Sequence, residues 1–190
     1  MRVLKILGLV VLMILIAQGR TFAERPEISA DETYFDIFKG AYVLKGNVRV
    51  AANNHGFVAT ITADEALVNV AMQRCWASGN VKLKQEDITF SCARAYLQWQ
   101  TSTVNVIGDV HFVNKKGVDI KSDTAVFDWQ EKIVDFYGAV TLAVTKAQFA
   151  NGVEVDGTQY QHVKYNVVEN KILALDKIFD APEIIIPDPE

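Results

Sequence analysis

Four aspartates, Asp31, Asp64, Asp123 and Asp156, recur at one position of a repeated pattern. A row of carboxylates suits two chemistries: acid–base work by a pair, or a hard cation held by several oxygens. The row is broken in its middle, where Ala93 followed by Arg94 stands in place of the aspartate. It therefore reads as structural, with a short carboxylate at a strand corner accepting from backbone N–H groups that have no ladder partner. Gly46, Gly79, Gly108 and Gly138 each follow fifteen residues after the repeated position. No helix period follows them, so they are expected to be kinks or bulges rather than phosphate cradles. His55, His111 and His162 share no motif, and no zinc site is expected from them. No nucleophile-elbow signature is present. Trp76, Trp99 and Trp129 are of a type that stacks on sugars, but in a β-protein they read as core or rim. No catalytic residue, metal or cofactor is expected.

The elements that position these residues form a repeat. Units open at Ile28, Ile61, Phe90, Ile120 and Val153, separated by 33, 29, 30 and 33 residues. In four of them a glycine lies 18 residues after the opening; in the fifth, more worn unit Lys171 takes its place. A constant unit with variable connections is the mark of stacked supersecondary units. Turn residues fall between units, at Asn53 to Gly56, Gln85 to Asp87, Asn114 to Gly117 and Asn151-Gly152.

Within each unit the apolar period is two, which predicts strands. Val48 and Val50, Val81 and Leu83, Val110 and Phe112, Val140 and Leu142, and Leu173 and Leu175 alternate with Arg49, Lys82, His111, Thr141 and Ala174. One face is dry, and the opening residues Ile28, Ile61, Phe90, Ile120 and Val153 add a second apolar column beside it. The fold class expected is all-β: an open antiparallel β-jellyroll, solenoid-like, of about five two-strand repeats of 29–33 residues. The column is either a closed core or, in an uncapped stack, a groove that shields acyl chains from water.

The N-terminus reads as a signal peptide. Arg2 and Lys5 precede a twelve-residue apolar run, Ile6 to Ala17, too short for the roughly 20 residues of a membrane-spanning helix. Thr21-Phe22-Ala23 places small residues where a signal peptidase reads, so residues 1–23 are expected to be removed after Ala23. An uncleaved anchor is the alternative. The cut takes three of the 19 basic residues and none of the 23 acidic ones, leaving 16 against 23 and a net charge near −7. That balance excludes a sequence-independent nucleic-acid binder. Residues 24–180 are one domain of ordinary size, and the proline-fenced 181–190 is an edge strand or a loose tail. Cys75 and Cys92 occupy different positions of the repeat and read as two small buried hydrophobes.

The repeated pattern, as in ITADEA (61–66) with ASGNVKL (77–83) and IKSDTA (120–125) with FYGAVTL (136–142), resembles the OstA-like family of lipopolysaccharide-transport proteins over residues 28 to about 175. The resemblance is strongest to its periplasmic bridge member. It implies an open jellyroll, periplasmic location and lipopolysaccharide carried, acyl chains inward, along the apolar interior. It also implies that edge strands near Ile28 and in residues 173–186 pair with other copies or with membrane components of the transport system. The runner-up is a membrane-anchored subunit of the same system. From another class, a β-solenoid enzyme acting on polysaccharide would be marked by acidic residues gathered around Trp99 or Trp129 in a cleft.

Overall fold

A computed structural model describes residues 27–54, 57–69, 71–85, 87–98 and 100–188. The expected signal peptide and its cut, His55 and Trp99 lie outside the described residues. Among the described residues the chain forms twelve strands: β1 (Glu27–Ser29), β2 (Glu32–Asp36), β3 (Ala41–Asn54), β4 (Phe57–Asn69), β5 (Arg74–Gln85), β6 (Ile88–Gln98), β7 (Thr103–Asn114), β8 (Val118–Asp128), β9 (Ile133–Val144), β10 (Gln148–Phe149), β11 (Gln159–Asn166) and β12 (Lys171–Asp176). They make one sheet in the order β1-β3-β4-β5-β6-β7-β8-β9-β11-β12-β10, with β2 also on β3. Pairing is antiparallel throughout except for β10 on β12. Among the described residues the sheet does not close on itself: it is the open all-β jellyroll that the repeat predicts.

β3, β5, β7 and β9 each bulge at the repeated glycine, with one extra residue relative to the neighbouring strand. Register shifts fall between Lys45 and Val48, Ser78 and Val81, and Ile107 and Val110, and β9 carries the same extra residue opposite β8. Gly79 and Asn80 show the cause, with φ of 71° and 48° at two successive residues. Such a pair adds one residue to its strand and turns the chain, which is a β-bulge. The bends line up across the sheet and divide it into a first arm (41–45 of β3 and its neighbours) and a second arm (48–54 and its neighbours). β1 and β2 are one edge strand broken at the same corner, β1 pairing with the second arm and β2 with the first.

The arms fold over one another. Phe112 on the second arm lies 5.4 Å, ring to ring, from Tyr165 on the first. In a flat sheet the lane of Tyr165 would meet β7 at Val104, eight residues and roughly 26 Å from Phe112. The contact therefore exists only because the sheet is creased, and the inner faces of both arms share one core that includes Val106, Val110, Phe112, Ile120, Phe136, Val140 and Tyr165. At one end the chain leaves β9 and crosses through residues 145–158 to place β10 on the outer edge of β12, with Ala147 and Val153 packed on the core.

Candidate functional site

The interior between the arms gathers most of the predicted column. On the second arm Val50, Ile61, Leu83, Phe90, Phe112, Ile120 and Leu142 are direct neighbours from strand to strand. Nearer the crease Val48, Val81, Val110 and Val140 point the same way and are buried. Ile28 continues the lane onto the edge, opposite Val50. The facing lane on the first arm is Leu44, Ala66, Ala77, Ala95, Val106, Ala125, Phe136 and Val163. Sequence reasoning missed this lane. Its signal was present, because alternation also runs through Val104 and Val106 or Val134 and Phe136, ahead of each glycine rather than after it.

The interior is not uniform along the stack. Phe112, Ile120 and Leu142 are 2%, 0% and 3% exposed, whereas Val50, Ile61, Leu83 and Phe90 in the same lane are only half-buried. The change coincides with what faces them. In the open part the facing lane is Leu44 and three alanines, Ala66, Ala77 and Ala95; in the closed part it is Val106, Ala125, Phe136 and Val163, with Tyr165 beside them. At the closed end Asn114 donates through Nδ2 to the Tyr165 hydroxyl at 3.0 Å, and that hydroxyl donates to Asn170 Oδ1 at 2.7 Å. Asn170 Nδ2 in turn donates to the Lys146 carbonyl at 2.7 Å. Burial holds the Tyr165 hydroxyl above its ordinary pKa, against the opposing pull of the Asn114 hydrogen bond.

Two members of the fifth unit depart from the predicted alignment. Val153 packs on the core from the irregular crossover rather than from a strand, and the backbone beside Leu142 is that of Thr158, an exposed residue just ahead of β11 whose carbonyl accepts from Leu142 N at 3.0 Å. Leu173 is the extra residue of a register shift in β12, so Ile172, 0% exposed, takes the inward position and only Leu175 of the predicted pair packs on the core. The reason is the crossover: it consumes the residues that a regular fifth unit would have used, and Lys171 falls at a hairpin end instead of a corner.

Three of the repeated aspartates, Asp31, Asp64 and Asp123, sit at the crease, each across from its glycine. Asp123 Oδ2 accepts from Ala139 N at 2.9 Å, which is the expected backbone capping. Asp31 and Asp64 instead accept from the side-chain amides of Asn47 and Asn80, each at 2.9 Å. Asp156 is elsewhere, paired with Lys177 at 2.7 Å; that hydrogen bond holds the Asp156 carboxyl below its ordinary pKa. The four therefore do not form one row. Beside the crease, on the outer face, a cleft of about 460 Å³ is lined by Ser91, Asp109, His111, Lys121, Ser122 and Asp123 among others. Here His111 meets Asp119 at 3.0 Å.

His162 is 5% exposed on the outer face of the first arm. Its ring meets Asp176 through Nδ1 at 2.7 Å and Asp135 through Nε2 at 2.8 Å. Burial lowers its pKa, but the two carboxylates outweigh that and hold it above the ordinary histidine value. Phe179 stacks on the ring at 4.2 Å with Tyr137 at 5.1 Å. From there the C-terminal stretch, expected as an edge strand or a loose tail, crosses the strands as an extended strap. Ile185 O accepts from Asn105 at 3.5 Å and Pro187 O accepts from Trp76 Nε1 at 2.8 Å. Trp129 lies in the β8–β9 turn, where Asp128 accepts from Gln130 N at 2.8 Å and Glu131 N at 3.0 Å, so this carboxylate serves the turn. Cys75 and Cys92 are unbonded, packed against or within the core, and burial pushes both thiols up to about 12.

No protein-family model matches the chain, and no curated protein does. Among solved structures the chain is similar to LptH, the LptA homologous periplasmic component of the conserved lipopolysaccharide transport device from Pseudomonas aeruginosa. The two share 15% sequence identity with a TM-score of 0.49, over 74% of this chain and 94% of that one.

Proposed function

We propose that this protein is a non-enzymatic periplasmic carrier of lipopolysaccharide, one segment of a head-to-tail jellyroll bridge between inner and outer membrane. Acyl chains lie between the two arms where they are half-open, against Ile28, Val50, Ile61, Leu83 and Phe90, and the same lane leads on to Leu142. The observation that carries this reading is the pair of facing apolar lanes, half-open to solvent from β3 to β6. A dozen methylenes buried there would contribute roughly 10 kcal/mol before the costs of ordering. The repeat resemblance described above points the same way.

Both ends offer edges for pairing. Among the described residues the outer edges of β1 and β2 have no ladder partner, and β12 is paired on its outer side only at Lys171 and Ile172. Unpaired ladders of this kind accept a strand from another chain. Other copies of the protein and membrane components of the transport system are the partners this reading assigns.

A photoreactive residue at Leu83, with Lys82 on the opposite face as its control, tests the reading in living cells. Lipopolysaccharide adducts at 83 and none at 82 are the expected result; an exported, folded protein with no adduct at 83 overturns it. N-terminal sequencing of the same material is expected to begin at Glu24, and an intact Met1 terminus would replace the bridge segment with an anchored subunit.

A further inference from the structure

We infer that the interior is two compartments and not one continuous groove: an acyl-chain chamber between β3 and β6, and a closed gate from β7 onward that the Asn114–Tyr165 contact latches. The inference deepens the lipid-carrier reading and rests on it for the identity of the cargo. Its grounds are a step in side-chain size and burial that occurs between two adjacent strands.

On the chamber side the arms present Leu83 and Phe90 to Ala77 and Ala95. Near the crease the arms meet, with Val48, Val81 and Cys92 buried and Phe90, Ala77 and Ala95 packed on the core, but farther out Leu83 and Phe90 stay half-exposed. On the gate side Phe112 packs on Phe136 at 5.9 Å and on Tyr165 at 5.4 Å. Interiors packed in this way hold no chain-sized space. An acyl chain moving from β6 toward β9 must therefore part the arms.

The latch is where parting meets resistance. Tyr165 belongs to the first arm and Asn114 to the last residue of β7 on the second, and their 3.0 Å hydrogen bond spans the interior, buried at both residues. The Tyr165 hydroxyl is itself tied to Asn170, and Asn170 to the crossover backbone at Lys146. The network joins both arms to the end cap with each member satisfied, which favours one closed arrangement over a range of partly open ones. Opening it exposes polar groups that lose partners together. The crease is the natural hinge, since its bulges carry few of the sheet's ladder bonds.

The test uses two diazirine-bearing probes, palmitic acid and lipopolysaccharide labelled in an acyl chain, with protein purified in its exported form and adducts located by mass spectrometry. Palmitate adducts are expected on residues 41–98 and at least tenfold fewer on residues 103–144. Tyr165→Phe, which keeps the ring, and Asn114→Ala are each expected to raise labelling of 103–144 at least fivefold, with far-ultraviolet circular dichroism confirming that the sheet remains. Equal labelling of both regions in the unmodified protein overturns the two-compartment interior. Labelling that stays confined to 41–98 in both variants overturns the latch. Palmitate confined to the chamber, with lipopolysaccharide failing to label or compete, upholds the division and overturns the lipopolysaccharide reading instead.

Discussion

The carboxylate of Asp123 occupies the space that a Cβ on Gly138 would need: an added Cβ would lie 2.3 Å from Asp123 Oδ2, at a φ of +94°. The residues depend on each other, because the bulge needs glycine both for its backbone and for room, and the aspartate then caps the turn. Gly138→Ala is expected to destabilise by roughly 3 kcal/mol, combining backbone strain with the clash. Asp123→Ala costs about 1–2 kcal/mol through the lost hydrogen bond to Ala139 N. The double variant is expected to be less damaging than the sum, since removing the carboxylate relieves the closest clash and leaves only the Cβ contact at 2.8 Å. Urea midpoints of the four proteins give the cycle; strict additivity would mean that the two do not act on each other.

Gly108 is the natural comparison. Its added Cβ would meet only the Ala93 Cβ, at 2.9 Å, at a φ of +78°. Gly108→Ala should therefore cost the backbone strain plus the shift that this one contact demands, roughly 2 kcal/mol, and less than Gly138→Ala measured in the same way.

The closed and open parts of the interior predict unequal costs of truncation. Phe136→Ala, at a residue with 0% exposure, is expected to lose about 3–5 kcal/mol. Phe90→Ala, at a half-buried site, should lose roughly half of that or less. Equal shifts in thermal or urea midpoint would mean that the arms are as tightly closed at β6 as at β9.

His162 makes stability depend on pH in a defined direction. Its folded pKa is raised, with Asp135 and Asp176 on the ring nitrogens, Lys164 3.6 Å from Asp135, and Tyr137 and Phe179 on its faces. The protonated ring donates to both carboxylates, so its contribution is complete below the unfolded histidine pKa near 6.5. It is lost as pH rises through the higher folded value. The urea midpoint of the unmodified protein is thus expected to fall between pH 6 and pH 9 by more than that of His162→Gln. Parallel profiles would show that the contact does not titrate in this range.

The strap over the first arm should be separable from the sheet, because ladder pairing ends at Asp176. Removing residues 181–190 deletes the carbonyl of Pro187 that Trp76 Nε1 donates to. A red shift of Trp76 emission is expected, absent from a Trp76→Phe background, with a stability loss of about 1 kcal/mol. An unchanged emission maximum would mean that the strap does not cover Trp76 in solution.

Period-two alternation and the constant glycine offset were enough to establish, from the sequence, an all-β stack with one dry face and a corner at each glycine, because strand parity and left-handed backbone are local properties. The same locality explains why Asp31, Asp64 and Asp123 read correctly as corner residues, whereas Asp156 lies in the crossover and pairs with Lys177 instead; whether each of the three caps a backbone N–H or a neighbouring asparagine depended on the residue after the glycine. The fifth unit misled because the offset alone could not reveal that residues 145–158 cross between arms, which moves Val153 off the strands and Leu173 into a bulge. That Phe112 touches Tyr165, that the interior is open beside Ala77 and Ala95 and shut beside Phe136, and that a C-terminal strap reaches Trp76 were decided by the tertiary structure. These contacts join residues up to 111 positions apart, and they follow from the angle at which one arm closes on the other, which no single strand's sequence encodes.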